Sequence, residues 1–587
     1  MSYNLNLEEK KTKKKKLGFK SLNSLVAHMV EEKKVLLIAF LAMIITAALN
    51  LTGPILIGYT VDKYIQTSQF HGVLVFSGIL LAMYITAAVA GYLQIRLMGS
   101  VGQRMLYNLR NSVFAKLQEL PYDFFNQNKT GDLISRINND TEKVNQFFSQ
   151  SLMQFMRVIL IMIGSGIFLL SIHIELGAAA ISPAILIWAF TRLLSPWVKK
   201  KNSINLKSVG MLSSEVQESL NNFKVVVAFN RRDYFRKRFE AINRDNYNTS
   251  VKAGIANNLF LPVYTFFSNI GMLIVLALGI YFISVGQLTI GLLISFIAYT
   301  NSFYNPLRQL ASLWANFQLA LAAWERIRKI LELESNLLQT DSDYFDETAT
   351  LVSFRDVSFS YPGGSEVLHQ ITFNLKKGKT YAFVGPTGGG KTTTASLISR
   401  LYDPTKGKVL LDGRDIRSYS VEERVKRIGF ILQDPYLFSG TIRDNILYGN
   451  EEYHHLQNGE LIKKLHDSGL ESLLQRFDKG LDSKIDVSGD GISLGQKQLI
   501  AFMRAVLRKP DLLILDEATA NIDTVTETLL EDILQKLPKT TTKVIIAHRL
   551  NTIANADVIY FVNTGKVTRA GSLNEAVDML MKGKIAS

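Results

Sequence analysis

The chain has 587 residues, 47% of them hydrophobic and 20% charged, with a formal net charge of +15 and no cysteine. The missing cysteines exclude a disulfide framework, a thiolate metal site and a cysteine nucleophile, and eight histidines are the whole imidazole supply. Such a mixture, with a positive mean hydropathy, suits neither a wholly soluble enzyme nor a purely intramembrane protein, so two unlike parts are expected. The positive charge fits nucleic-acid binding or a membrane protein with basic cytoplasmic loops, and its distribution must decide.

Residues 1–32 carry the lysine run Lys10 to Lys16, with no short apolar stretch and cleavage site directly after it. They read as a retained cytoplasmic tail, solvated or lying on anionic lipid, rather than as a nucleic-acid arm. Six apolar stretches follow, at 35–59, 73–95, 147–172, 174–197, 258–283 and 286–310. Each is near the roughly 20 residues that cross a bilayer, which predicts a six-helix transmembrane domain over 33–330. Gly53-Pro54, Pro183 and Pro262 interrupt them, as spanning helices tolerate. The connections after the second and fourth spans are long and basic, with Arg104, Arg110, Lys199, Lys200, Lys201 and the run from Arg231 to Arg238. Long basic loops belong inside, and an even number of spans returns the chain to the cytoplasm, so both termini are expected there. The loops keep helical periodicity, which predicts that the spans continue inward as long helices. Arg157 and Arg192 lie in or near spans, where charge is costly. Arg157 is the candidate for a translocation cavity, whereas Arg192 can reach the interface beside Pro196 and Trp197. The aromatics Tyr264, Phe266, Phe267, Phe296, Tyr299 and Phe303 suit either a greasy chamber or helix packing.

Aromatics and small polar residues at a loop tip are suited to docking in a cleft. The stretch Pro121-Tyr-Asp-Phe-Phe125, followed by Gly131-Asp-Leu-Ile-Ser135-Arg136, resembles the first intracellular loop of type IV exporters of the ATP-binding-cassette (ABC) family. The segment Glu218 to Phe229 is similar to the second. The resemblance implies that Phe125 and Phe229 mark coupling loops.

An acidic linker at 331–350 leads to a change of pattern, and an α/β phosphate-loop NTPase domain is expected over 351–587. Lys379-Thr-Tyr-Ala-Phe-Val384 runs into Gly385-Pro386-Thr387-Gly388-Gly389-Gly390-Lys391-Thr392-Thr393 and then an apolar helix. This is the strand, loop and helix that a phosphate loop requires: glycines turn N–H groups onto a β-phosphate, Lys391 bridges β- and γ-phosphates, and Thr392 takes Mg²⁺. A second apolar strand, Asp511-Leu-Leu-Ile-Leu515, delivers Asp516 and Glu517. Asp516 is expected to hold Mg²⁺ and Glu517 to orient and deprotonate the attacking water.

Between them, Asp490-Gly491-Ile492-Ser493-Leu494-Gly495-Gln496 opens a helix and is similar to the signature motif of ABC proteins. With it come Tyr361, like the adenine-stacking aromatic; Gln433, like the loop glutamine that reaches Mg²⁺; Asp523, like the dimer-contact loop; and His548, like the switch histidine. In that family two such domains sandwich two ATP molecules head to tail, so Ser493, Leu494, Gly495 and Gln496 would cover nucleotide on a second half-transporter. The physical reason is that N–H groups at a helix start bind anions presented from outside. Ile492 and Leu494 depart from the usual Leu-Ser-Gly-Gly-Gln, and a side chain at Leu494 stands where glycine allows close approach. With Glu517 intact, the pattern resembles one subunit of heterodimeric bacterial exporters, whose partner would carry a degenerate Mg²⁺ strand and an intact signature. By that resemblance the expectation is ATP-driven efflux of amphipathic or hydrophobic compounds across a bacterial cytoplasmic membrane, with membrane lipid as a partner and no nucleic acid. The alternatives are a lipid flippase, a peptide exporter or a homodimeric pump. A soluble cassette ATPase is excluded by the spans. Because phosphate loops also accept GTP, ATP follows from Tyr361 and the resemblance.

Overall fold

The computed structural model describes Tyr3, Leu5 and residues 32–585 apart from 336, 338, 341–349, 487–491, 518–523, 547–552 and 554. Two compact units result. One comprises the described part of 12–118 with 131–332; the other joins 333–587 to Glu119–Thr130 and to the described residues of 1–11.

The first unit is helical. Its main elements are α1 (Lys33–Thr60), α2 (Phe70–Glu119), α4 (Leu152–Ile172), α5 (Pro183–Asn221), α6 (Arg232–Asn258), α7 (Phe260–Ser284) and α8 (Ile290–Leu331), while the short α3 (Tyr122–Gln127) lies in the other unit. With 50 residues, α2 runs to about 75 Å at 1.5 Å per residue, so the second span continues as a helix well beyond the thickness of a bilayer. Five helical stretches are long and apolar enough to cross a membrane: Lys33–Ile65, Phe70–Glu119, Thr130–Ile172, Ile174–Asn221 and Arg232–Ser284. The sixth expected span forms as α8, but it is not among the five. Thr300, Asn301, Ser302 and Asn305 dilute its apolar run, and it packs along α4 and α1. Only 11–28% of each apolar window is buried, and Leu81, Ile95, Leu193 and Leu273 point outward. A water-soluble core would show the reverse, so this apolar surface suits lipid or the spans of a second half-transporter.

Without a hydrophobic drive between helices in lipid, close backbone approach and hydrogen bonds hold them together. A Cβ on Gly58 would meet the Gly291 carbonyl oxygen at 2.4 Å, and one on Gly291 would meet the Gly58 oxygen at 2.0 Å. Beside that crossing the Asp62 carboxylate accepts from the Gly291 N–H at 2.7 Å and from the Thr289 hydroxyl at 2.5 Å. Phe296 and Tyr299 are wholly buried. Tyr299 stacks on Phe168 at 5.0 Å and donates to the Leu51 carbonyl at 2.6 Å, which assigns both residues to helix packing. Arg192 is exposed and lies over the Trp188 ring at 5.4 Å, as interface snorkelling requires. Arg157 is half-buried on α4.

Some of the basic character sought in the loops is internal. Arg136 is 1% exposed. Its guanidinium donates to Asp132 at 3.0–3.1 Å and to the Arg326 carbonyl at 3.2 Å. Arg326 in turn grips the Asp140 carboxylate through Nε at 2.6 Å. Buried charges paired in this way fix geometry, because loss of one partner strands the other.

The second unit holds strands β1 (Thr350–Ser360), β2 (Glu366–Lys376), β3 (Thr380–Val384), β4 (Lys406–Leu411), β5 (Arg414–Asp415), β6 (Ile428–Ile431), β7 (Gly440–Thr441), β8 (Lys484–Ile485), β9 (Leu512–Asp516), β10 (Thr542–Ile546), β11 (Val558–Asn563) and β12 (Lys566–Ala570). The central sheet has the order β12-β11-β3-β10-β9-β6 and is parallel except for β12. Strands β3 and β9 read as continuous apolar runs because both faces are covered. β1, β2, β4 and β5 form a separate antiparallel sheet. Tyr3 and Leu5 are buried in this unit, so the amino-terminal segment is not solvated throughout.

Candidate nucleotide site

Ligands gather at the carboxyl ends of parallel strands, and β3 and β9 flank β10 so that both end at one rim. Beyond β3 the loop from Gly385 to Gly390 leads into α9 (Lys391–Ile398), with Gly390 as its N-cap at φ 112°. A Cβ at Gly385 (φ 149°) would lie 2.0 Å from the Val562 carbonyl oxygen, and one at Gly389 would lie 2.5 Å from it. The loop backbone is therefore pressed onto β11 and cannot carry side chains there. Thr387, Gly388 and Thr392 are exposed, whereas Lys391 and Thr393 are buried.

The Lys391 ammonium donates to the Gly385 and Pro386 carbonyls at 2.9 and 3.0 Å. Burial holds its pKa below the ordinary 10.5, partly offset by the charges of Glu517 and Asp516. Asp516, buried at the end of β9, lies 3.2 Å from the Thr392 hydroxyl, which donates to it. Glu517 follows at φ 50°, a left-handed conformation uncommon outside glycine. Its N–H donates to the Ile546 carbonyl at 3.1 Å, and its carboxylate accepts from the Gln433 amide at 2.8 Å. So the lysine, hydroxyl, carboxylate pair and glutamine drawn from three separate sequence regions converge.

Tyr361 is half-buried, 3.0 Å from the Thr393 hydroxyl and edge-on to Phe359 and Tyr402 at 4.9 and 5.3 Å. It lines a cavity of about 570 Å³ with Tyr402, Pro121 and Asp123. Motif reading missed Tyr402. Its hydroxyl accepts from Asn126 at 2.5 Å and its ring meets Tyr122 at 6.0 Å, while burial pushes its pKa up to about 12. Phe125 lies on α3 beside Phe124 at 5.2 Å; Phe229, at the end of helix Phe223–Ala228 in the helical unit, is 73% exposed.

The signature segment opens α10 (Leu494–Val506) with a capping box: the Ser493 hydroxyl accepts from the Gln496 N–H at 3.1 Å, and the Gln496 side chain accepts from the Ser493 N–H at 3.0 Å. Gln496 also donates to the Arg476 carbonyl at 3.1 Å. The N–H groups of Leu494 and Gly495 are left without intrahelical acceptors by helix geometry, and the Leu494 side chain is 41% exposed. Asp490, Gly491, Asp523 and His548 lie outside the described residues.

Among the described residues no three His, Asp or Glu gather as a metal cage. The Thr392 hydroxyl and Asp516 carboxylate instead offer two oxygens side by side, the donor set that suits Mg²⁺ completing its shell with phosphate and water.

Residues 36–307 match the family model "ABC transporter transmembrane region" and 368–520 match "ABC transporter". The chain is 33% identical to an uncharacterized ABC transporter ATP-binding protein, YfiC, of Bacillus subtilis, over 95% of this chain and 92% of that one. It is 32% identical to a multidrug resistance ABC transporter ATP-binding and permease protein of Lactococcus lactis, over 85% and 84%. A fatty acid ABC transporter ATP-binding/permease protein of Mycobacterium bovis is 33% identical over 84% of this chain and 77% of its own. With lipid-facing helices in one unit and a phosphate loop in the other, the chain belongs to the ABC transporter family, as an exporter-type half-transporter of the plasma membrane that couples ATP hydrolysis to transport.

Proposed function

We propose that this chain exports amphipathic compounds as one half of a pair of unlike subunits, with its own phosphate loop forming the hydrolytic site. The carrying observation is asymmetry within one chain: Glu517 is intact and accepts from Gln433, while Leu494 puts an exposed side chain at the helix start that, in this reading, faces the partner's phosphates. In this reading Lys391 turns from the loop carbonyls to the β- and γ-phosphates, Gly385 to Thr393 wrap them, and Tyr361 stacks on adenine. Thr392 and Asp516, with Gln433, would hold Mg²⁺, which supplies charge neutralisation at the phosphates. Glu517 takes the proton of the attacking water, His548 contacts the γ-phosphate and Asp523 lies at the dimer contact. Ser493, Gly495 and Gln496 cover nucleotide on the partner, where Leu494 weakens the cover. The loops at Phe125 and Phe229 carry closure to the spans, and both termini are cytoplasmic. Arg157 lines the cavity. The drug-efflux cargo is favoured by the Lactococcus relative, a multidrug resistance transporter, whereas the fatty-acid relative supports lipid-like cargo as a second reading.

Uptake of a fluorescent amphipath into inside-out vesicles tests this, comparing the chain alone with the chain plus a co-expressed half-transporter. Full activity of the chain alone would overturn the unlike pair. In the pair, Leu494→Gly should tighten nucleotide at the second site about tenfold, the gain of one charge-assisted hydrogen bond. Transport of fatty acyl chains but not of cationic drugs would select the second reading.

A further inference from the structure

Tyr3 and Leu5 are 2% and 1% exposed, among the most buried residues of their unit, although the sequence around them reads as a polar tail. Their burial is specific. The Tyr3 N–H donates to the Gln127 side chain at 2.9 Å and the Leu5 N–H donates to Asn128 Oδ1 at 3.2 Å. Asn128 Nδ2 returns a bond to the Tyr3 carbonyl at 2.8 Å, so one buried amide takes the peptide's main chain at a carbonyl and at an N–H two residues on. That amide is already oriented, because Nδ2 also donates to the Phe124 carbonyl at 2.8 Å. The Tyr3 ring sits edge-on to Phe124 at 6.2 Å, and its hydroxyl donates to the Glu334 carbonyl at 2.8 Å.

Main-chain hydrogen bonds combined with a pocketed aromatic are how proteins bind peptide segments. The site has two sides: α3 and Asn128 on one, and the Glu334 carbonyl on the other. We propose that the first intracellular loop carries a peptide-binding site filled in cis by Tyr3 and Leu5, which clamps Pro121–Asn128 to Glu334 and so keeps the loop seated by Tyr402. Resting on the transport reading above, the clamp makes nucleotide closure reach the spans without taking part in hydrolysis.

The test uses the full chain with its partner, in wild type and in Tyr3→Ala/Leu5→Ala. Hydrogen exchange at residues 121–128 should speed up in the double variant, and a labelled peptide of residues 1–8 should bind the variant but not the wild type, whose site is filled. Adding Asn128→Ala should abolish that binding. Basal ATP hydrolysis should be unchanged, while transport per ATP falls at least about fivefold, the low end of coupling between sites, and recovers with saturating peptide. Unchanged exchange or no peptide binding would overturn the clamp. A clamp that binds peptide with undiminished transport per ATP would overturn its role in coupling. A wild type that hydrolyses ATP yet transports nothing would instead sink the transport reading, and the binding and exchange results would still judge the clamp.

Discussion

Replacing Glu517 by glutamine separates chemistry from binding. The substitution keeps size, so the bond from Gln433, 2.8 Å in the wild type, and that from the Glu517 N–H to Ile546, 3.1 Å, can persist. The left-handed backbone at φ 50° is unchanged too. What disappears is the basic oxygen. A positioned general base is worth about 10²- to 10⁴-fold, or about 2.7–5.4 kcal/mol at 1.36 kcal/mol per tenfold. Phosphate release by the reconstituted pair should fall by that factor, while nucleotide held by the Lys391 loop should still co-elute with protein on gel filtration. Gln433→Ala frees the carboxylate and also removes a side chain proposed to reach Mg²⁺, so the double variant should lose more than Glu517→Gln only by the share that acts through Mg²⁺, the share that acts through the carboxylate being already gone. Undiminished phosphate release in Glu517→Gln would refute the catalytic assignment.

Gly385→Ala forces a Cβ to 2.0 Å from the Val562 carbonyl oxygen; overpacking of this kind costs about 1–3 kcal/mol, and both melting temperature and nucleotide affinity should drop. Gly291→Ala brings a Cβ to 2.0 Å from the Gly58 oxygen, so the detergent-solubilised pair should melt earlier by a similar about 1–3 kcal/mol with nucleotide affinity untouched. The buried Lys391 has a pKa below 10.5, and phosphate favours its charged form. Nucleotide affinity measured by titration should therefore fall as pH rises through that lowered value, and Lys391→Arg should lose this dependence, because a guanidinium stays charged.

The local chemistry was legible because it is carried by contiguous residues. Glycines at φ values that side chains avoid, a lysine at a helix start and an apolar strand ending in Asp516 each declare a backbone shape and a charge in one short run. Five apolar runs likewise declared lipid-facing helices, since hydrophobic length needs no partner to be read. The sixth was less plain: α8 holds Thr300, Asn301 and Asn305 in a helix packed on α1 and α4, and such packing is invisible in composition. The same limit governs the rest. That Gln433 meets Glu517 across 84 residues, that Arg136 is paired inside rather than solvated, that Tyr402 joins Tyr361 to Asn126, and that Tyr3 and Leu5 end up under Asn128 are all facts of long-range contact. Sequence determined which residues form the strand, glycine loop and helix start, and which segments are apolar enough for lipid. Only the tertiary structure decided their neighbours, because a hydrogen bond depends on where two distant parts of the chain are brought within about 3 Å.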